Sequence, residues 1–92
     1  MPLLFEWDSS KAASNLLKHG VSFEEASTIF GDPRSLTIPD PAHSQTEARL
    51  VTLGLSYAHR TLVVVHTERD GNLRLISARP ASRQEGKAHE AH

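Results

Sequence analysis

Apolar and polar positions along this chain change their spacing several times, and each change marks an element. Leu3 to Trp7 reads LLFEW, short and aromatic-rich, and runs into Asp8. Aspartate favours a helix N-cap, so a short strand and then a helix over Ser9–His19 are predicted. Ala12, Ala13, Leu16 and Leu17 recur at helical spacing and predict its buried stripe, with Lys11, Ser14, Asn15 and Lys18 outward. Lys18 and His19 suit the last turn, where the helix dipole favours cations, and Gly20 suits a left-handed cap. Ser22 followed by Glu25 is a capping box that opens a second helix, with Phe23, Ala26, Ile29 and Phe30 as its stripe. Gly31-Asp32-Pro33 stops it. Neither helix is long enough to stand alone, so both must pack on a sheet.

The sheet is predicted from alternating, β-branched runs. Residues 34–38 form one strand, ended by Pro39-Asp40-Pro41. A polar segment follows, and residues 48–56 form the next strand, in which Gly54 predicts a bulge or the close approach of another backbone. Residues 60–79, RTLVVVHTERDGNLRLISAR, form a hairpin about Asp70-Gly71, a dipeptide that supplies the positive φ angles of a type I′ turn. Counting outward from Arg69 opposite Asn72 puts Val65 opposite Ile76 and Val63 opposite Ala78, on an apolar face for the helices to cover. The other face mixes Arg60, His66, Ser77 and Arg79 with Leu62, Val64, Leu73 and Leu75. If Ser56 pairs with Arg60, then Val51 and Leu53 lie beside Val65 and Val63, and Arg49 lies near Thr67 and Arg74. Residues 80–92 predict a short helix beginning at Pro80, weakened by Gly86.

The predicted fold is therefore α+β: a small, mainly antiparallel sheet, two N-terminal helices on one face and a short C-terminal helix. At 92 residues the chain fits a single domain, 1–92. No apolar run approaches the length of a membrane span, and the start lacks a signal-peptide pattern, so a cytoplasmic protein is expected. With no cysteine, disulfides and thiolate zinc sites are excluded. The net charge of −1 is no mark of a nucleic-acid binder. Residues 1–59 carry −3, however, and residues 60–92 carry +2, which permits a basic patch on the hairpin.

Beyond these patterns, the sequence resembles a known family. FEWDSSKAASNLLKHGVSFEEASTIFGDP, then HSQTEARLVTLGLS, RTLVVVHTER and LRLISARPASRQE, are similar to the BrnT toxins of bacterial type II toxin–antitoxin modules. The resemblance spans nearly the whole chain. It implies a RelE/ParE-like fold and an endoribonuclease that arrests translation. It also implies a BrnA-like antitoxin that neutralises the toxin, with operator DNA bound only indirectly, through that antitoxin. The chain departs from the family pattern in its tail, where glycine stands at Gly86 for a cation and histidine at His89 for a tyrosine. That departure motivates an alternative, a catalytically weakened scaffold that only binds antitoxin. Direct DNA binding is disfavoured by the acidic first half and the lack of a helix-turn-helix pattern.

Cleaving RNA without a metal requires proton transfer at the ribose 2′-hydroxyl and the leaving oxygen, and charge on the crowded phosphorane must be stabilised. Arginine holds such charge without titrating. The catalytic candidates are Arg79, which closes the ISAR motif, Arg60, Glu47 and His43. Arg49, His66, Arg74 and Ser77 are candidates for RNA binding. Each has a structural alternative: His66 as a satisfied strand residue, Ser77 as a small cross-strand neighbour, the arginines as a surface for antitoxin carboxylates. The six histidines show no convincing metal-ligand pair, so neither metal nor cofactor is expected.

Overall fold

The computed structural model describes residues 3–40 and 48–92. Five strands form one sheet in the order β1-β5-β4-β3-β2: β1 Phe5–Glu6, β2 Leu36–Pro39, β3 Arg49–Leu55, β4 Thr61–Arg69 and β5 Asn72–Pro80. Among the described residues only the β1–β5 pairing is parallel. The helices are α1 Ser9–His19, α2 Phe23–Ser27, extended by a 3-10 turn over Thr28–Gly31, and α3 Arg83–Ala91. The predicted α+β architecture is the one observed.

Local chemistry accounts for most element boundaries. Asp8 accepts from the backbone N–H of Lys11, and Gly20, at φ 69°, closes α1 by donating to the Leu16 carbonyl. Asp70 and Gly71 have φ of 52° and 81°, as a type I′ turn requires, and Arg69 faces Asn72. The β3–β4 register also follows the counting, with Val51 opposite Val65, Leu53 opposite Val63 and Arg49 opposite Thr67. Gly54 is where another backbone approaches. A Cβ there would lie 2.9 Å from the Ile29 Cβ and 3.1 Å from the Ile29 carbonyl oxygen.

The hairpin faces are the reverse of those expected. Counting from the turn holds through His66 opposite Leu75, but Val65 then faces Ser77 and Val63 faces Arg79. Ile76 is an extra residue in β5, a β-bulge, and one inserted residue exchanges the faces of everything beyond it. Leu62, Val64, Leu75 and Ala78 consequently share one face and form the core with Val21, Phe23, Ala26 and Ile29. Phe23 has no exposed surface, a burial that stabilises by about 2–3 kcal/mol. Arg60 and His66 go with this helix-covered face, while Ser77 and Arg79 go with Val63 and Val65 on the opposite one.

Helix α1 also packs differently from its apolar stripe. Leu16 is 50% and Leu17 90% exposed, whereas Asn15 is buried. The Asn15 amide donates to the carbonyls of Val21 (3.0 Å) and Ala78 (2.8 Å), and its oxygen accepts from the Ala78 N–H (3.0 Å). β1 pairs with β5 only at Leu73 and Arg74. Beyond that point Asn15 takes the place of a neighbouring strand and satisfies backbone groups that burial would otherwise leave unpaired.

Two other expectations need correction. Ser22 accepts from the Glu25 N–H, but the Glu25 carboxylate turns to Arg60 and Ser56 instead of back to Ser22. Pro80 ends β5 instead of starting a helix. Helix α3 is capped by Ser82, in a reciprocal capping box with Glu85. Its far end is held by His89, whose Nε2 lies 2.7 Å from the Asp32 carboxylate, and by Arg34, which donates to the Glu90 carbonyl. Asp32 itself precedes β2, so α3 crosses from β5 toward the β2 side of the sheet.

Candidate functional site

The arginines picked from sequence occupy opposite faces of the sheet. Arg60 lies between sheet and helices. Its Nε and Nη2 donate to both oxygens of Glu25 at 2.9 and 2.6 Å, and Nη2 also reaches the Gly20 carbonyl. The Ser56 hydroxyl donates to the same carboxylate at 2.7 Å while accepting from the N–H groups of Ala58 and Arg60. Hydrogen bonds from Arg60 hold the Glu25 carboxyl below its usual range against the effect of burial, with Ser56 adding to them. This arrangement ties α2 to the turn before β4.

Arg79 lies on the opposite face, beside the first turn of α3. Its Nη1 and Nη2 meet the two oxygens of Glu85 at 2.8 and 2.9 Å. Arg79 and the Ser82 N–H, acting on Glu85 in that order, bring its pKa down to about 2. Both members of this pair are accessible, with side chains 44% and 34% exposed. In the other pair, Arg60 is 40% exposed but Glu25 only 8%. Next to Arg79 runs an apolar groove of about 210 Å³, lined by Leu36, Ile38, Val51, Leu53 and Val63 with Ala88 of α3.

The remaining candidates are dispersed. His66 is buried, its Nε2 2.7 Å from the Thr52 hydroxyl, which in turn lies 2.7 Å from that of Thr37. The Phe30 ring packs edge-on against it. Burial lowers the His66 pKa to about 4, so the ring is neutral, and its Nδ1 has no hydrogen-bond partner among the described residues. Arg49 and Arg74 both neighbour Thr67, with Arg74 3.9 Å from Glu6. Val63, the cross-strand partner of Arg79, is four residues from Thr67, about 13 Å along β4. These cations therefore form a group separate from Arg79. His43 and Glu47 lie outside the described residues.

Ser77 opens onto a different feature. A cleft of about 320 Å³ runs between α1 and β5, lined by Lys11, Ser14, Lys18 and His19 on the helix and by Ile76 and Ser77 at the bulge. In the sequence Lys18 and His19 fit a last helical turn as dipole-stabilising groups, and no local motif links them to Ser77. Glu85 was more accessible, because Ser82 and Glu85 have the spacing of a capping box.

Comparison with known proteins places this geometry in a family. Residues 7–85 match the model of the ribonuclease toxin, BrnT, of type II toxin–antitoxin systems. No curated protein matches the sequence. Among solved structures, the chain is similar to the Brucella abortus ribonuclease toxin BrnT, known from a 1.1 Å crystal structure. The two share 24% identity and a TM-score of 0.69 over 89% of this chain and 100% of that one, a likeness of fold. The family match covers the N-capping residues of all three helices, Asp8, Ser22 and Ser82, and every strand from β2 to β5, so the chain belongs to the BrnT family of ribonuclease toxins of type II toxin–antitoxin systems.

Proposed function

We propose that this chain is a metal-independent endoribonuclease in which Arg79 holds the scissile phosphate. Family membership brings an RNA target and an antitoxin partner. The observation that carries the site is the state of Arg79, a two-pronged cation on the face left open by α1 and α2, paired among the described residues only with the accessible carboxylate of Glu85 and the Pro80 carbonyl. A guanidinium fork that fits a carboxylate also fits two phosphate oxygens, so RNA can replace Glu85 there. Arg60 braces the fold beside a buried carboxylate and supports catalysis through that frame.

Glu85 is a poor general base, since a carboxyl titrating near 2 has little affinity for a proton at neutral pH. His66, enclosed beneath the sheet, is equally unsuited to meet RNA directly. Proton transfer is assigned to His43 and Glu47, and Arg49 and Arg74, which flank Thr67, are assigned a second phosphate contact. Metal independence is part of this proposal, and the EDTA arm of the experiment below tests it. The proposed antitoxin is BrnA-like and carries any operator binding. The reading includes a single cytoplasmic domain, and no described helix is long and apolar enough to cross a membrane. The altered tail has a structural use here, because His89 docks α3 on Asp32, so the weakened-scaffold alternative loses its motive.

The test is cleavage of RNA by the purified chain in EDTA, beside Arg79→Ala. Cleavage should persist in EDTA and fall about 100-fold or more in the variant. Equal cleavage by both proteins would move the site away from Arg79. Loss of wild-type cleavage in EDTA would overturn metal independence.

A further inference from the structure

We propose that the cleft between α1 and the β5 bulge is a phosphate subsite that holds the RNA strand beside Arg79. This deepens the ribonuclease reading and rests on it. Three observations point to an anion. Lys11, Ser14 and Lys18 recur at i, i+3 and i+7, so two ammonium groups and a hydroxyl line one side of the cleft, with the His19 imidazole beside them. Neither lysine has an ion-pair partner among the described residues, and no carboxylate lines the cleft. Asp8, near Lys11, is committed to the N–H that it caps.

The second observation is the bulge. The extra residue at Ile76 breaks the regular alternation of β5 where β1 has already ended, and Ile76 and Ser77 line the cleft across from the helix. Bulges commonly re-aim side chains beside functional sites. The third is continuity. Ser77 precedes Arg79 by two residues, about 7 Å along the same strand. A backbone gripped by Arg79 thus continues along β5 into a cationic, hydroxyl-lined channel beside α1. The volume, about 320 Å³, lies at the small end of ligand sites, which start at about 300 Å³.

The chemistry selects nucleic acid over protein as the occupant. Protein interfaces are anchored by aromatic and aliphatic side chains in their centres, and this cleft offers Ile76 alone among large apolar groups. Flexible ammonium groups with serine hydroxyls suit phosphate oxygens, which lysine meets as a point charge.

The experiment measures binding of a fully 2′-O-methylated oligoribonucleotide, which cannot be cleaved through its 2′-oxygen, by fluorescence anisotropy across a salt series. Lys11→Gln/Lys18→Gln is compared with wild type and with Lys87→Gln/Arg69→Gln, which removes two cations elsewhere. Thermal melts of all three proteins check the fold. The cleft variant should bind roughly tenfold or more weakly and lose about 1.4 from its log–log salt slope, near 0.7 for each phosphate contact on a single strand. The control should change far less. A cleft variant indistinguishable from wild type or from the control overturns the subsite, as does a variant that loses antitoxin affinity while keeping RNA affinity. Parallel cleavage of unmodified RNA by wild type separates the two ideas. Cleavage with unaltered cleft-variant binding sinks the subsite alone, and cleft-dependent binding without any cleavage sinks the ribonuclease reading alone.

Discussion

The Arg60–Glu25 and Arg79–Glu85 pairs, each joined by two guanidinium hydrogen bonds, have nearly the same geometry and opposite surroundings. Arg60 and Glu25 meet at 2.6 Å beneath the helices, with Ser56 and a backbone carbonyl completing the set. Arg79 and Glu85 meet at 2.8 Å on the other face, at the mouth of a groove. Burial makes the first carboxylate hard to replace, since leaving either group alone there strands a charge or a hydroxyl. Exposure makes the second replaceable, because water or a phosphate can take either partner's place. The same chemical pair is a brace in one setting and, in the proposed reading, a phosphate site held ready in the other.

That contrast can be broken by substitutions ordered by their expected effect on the fold. The largest belongs to the covered face at Asn15. Asn15→Leu leaves the Ala78 N–H and two carbonyls unpaired, and a loss of about 3 kcal/mol in urea unfolding is expected. A change below about 1 kcal/mol would show that water satisfies those groups and that α1 is not fastened there.

Next comes the pH dependence, in which each face has its own window. Unfolded, His66 titrates near its ordinary 6.5, while the folded ring stays neutral down to about 4. The unfolded chain therefore takes up the extra proton first, and stability is lost as pH falls from 6.5 toward 4, by roughly 2–3 kcal/mol. Glu85 acts lower. Its folded carboxyl is depressed from 4.5 to about 2, so its contribution is complete above 4.5 and disappears on the way to 2. Urea titrations across this range should show His66→Gln flattening the upper window and Arg79→Ala the lower. If one variant flattened both windows, the two faces would not be titrating independently.

Glu25→Ala is expected to cost about 2 kcal/mol, less than a fully buried pair because Arg60 can regain water. Smallest is Arg79→Ala, at under about 1 kcal/mol, although the same change should nearly abolish cleavage. A large stability loss with Arg79→Ala would make both pairs braces and remove the basis of the comparison.

What could be read from the chain is unevenly distributed along it. The caps at Asp8, Gly20 and Ser22 and the turn at Asp70-Gly71 were legible because each depends on a few adjacent residues. The β3–β4 register was legible for the same reason, since Ser56 and Arg60 close a short turn and regular alternation does the rest. The site was less so. Arg79 could be singled out, but its partner Glu85 and the groove beside it depend on where α3 crosses. The cleft facing Ser77 depends on α1 lying along an edge 60 residues away in sequence.

The sequence by itself therefore determined the element types, the turns, the family resemblance and the identity of the cations. The tertiary structure decided which way those cations point. One extra residue at Ile76 reverses the faces of β5 beyond it, and nothing in a pattern of period two marks where an insertion falls. The orientation of α1 was decided by three hydrogen bonds between Asn15 and the backbone of Val21 and Ala78, which outweigh the burial that Leu17 forgoes. Hydrophobic periodicity registers only apolar faces, and a polar residue that completes a sheet edge has meaning only once that edge exists.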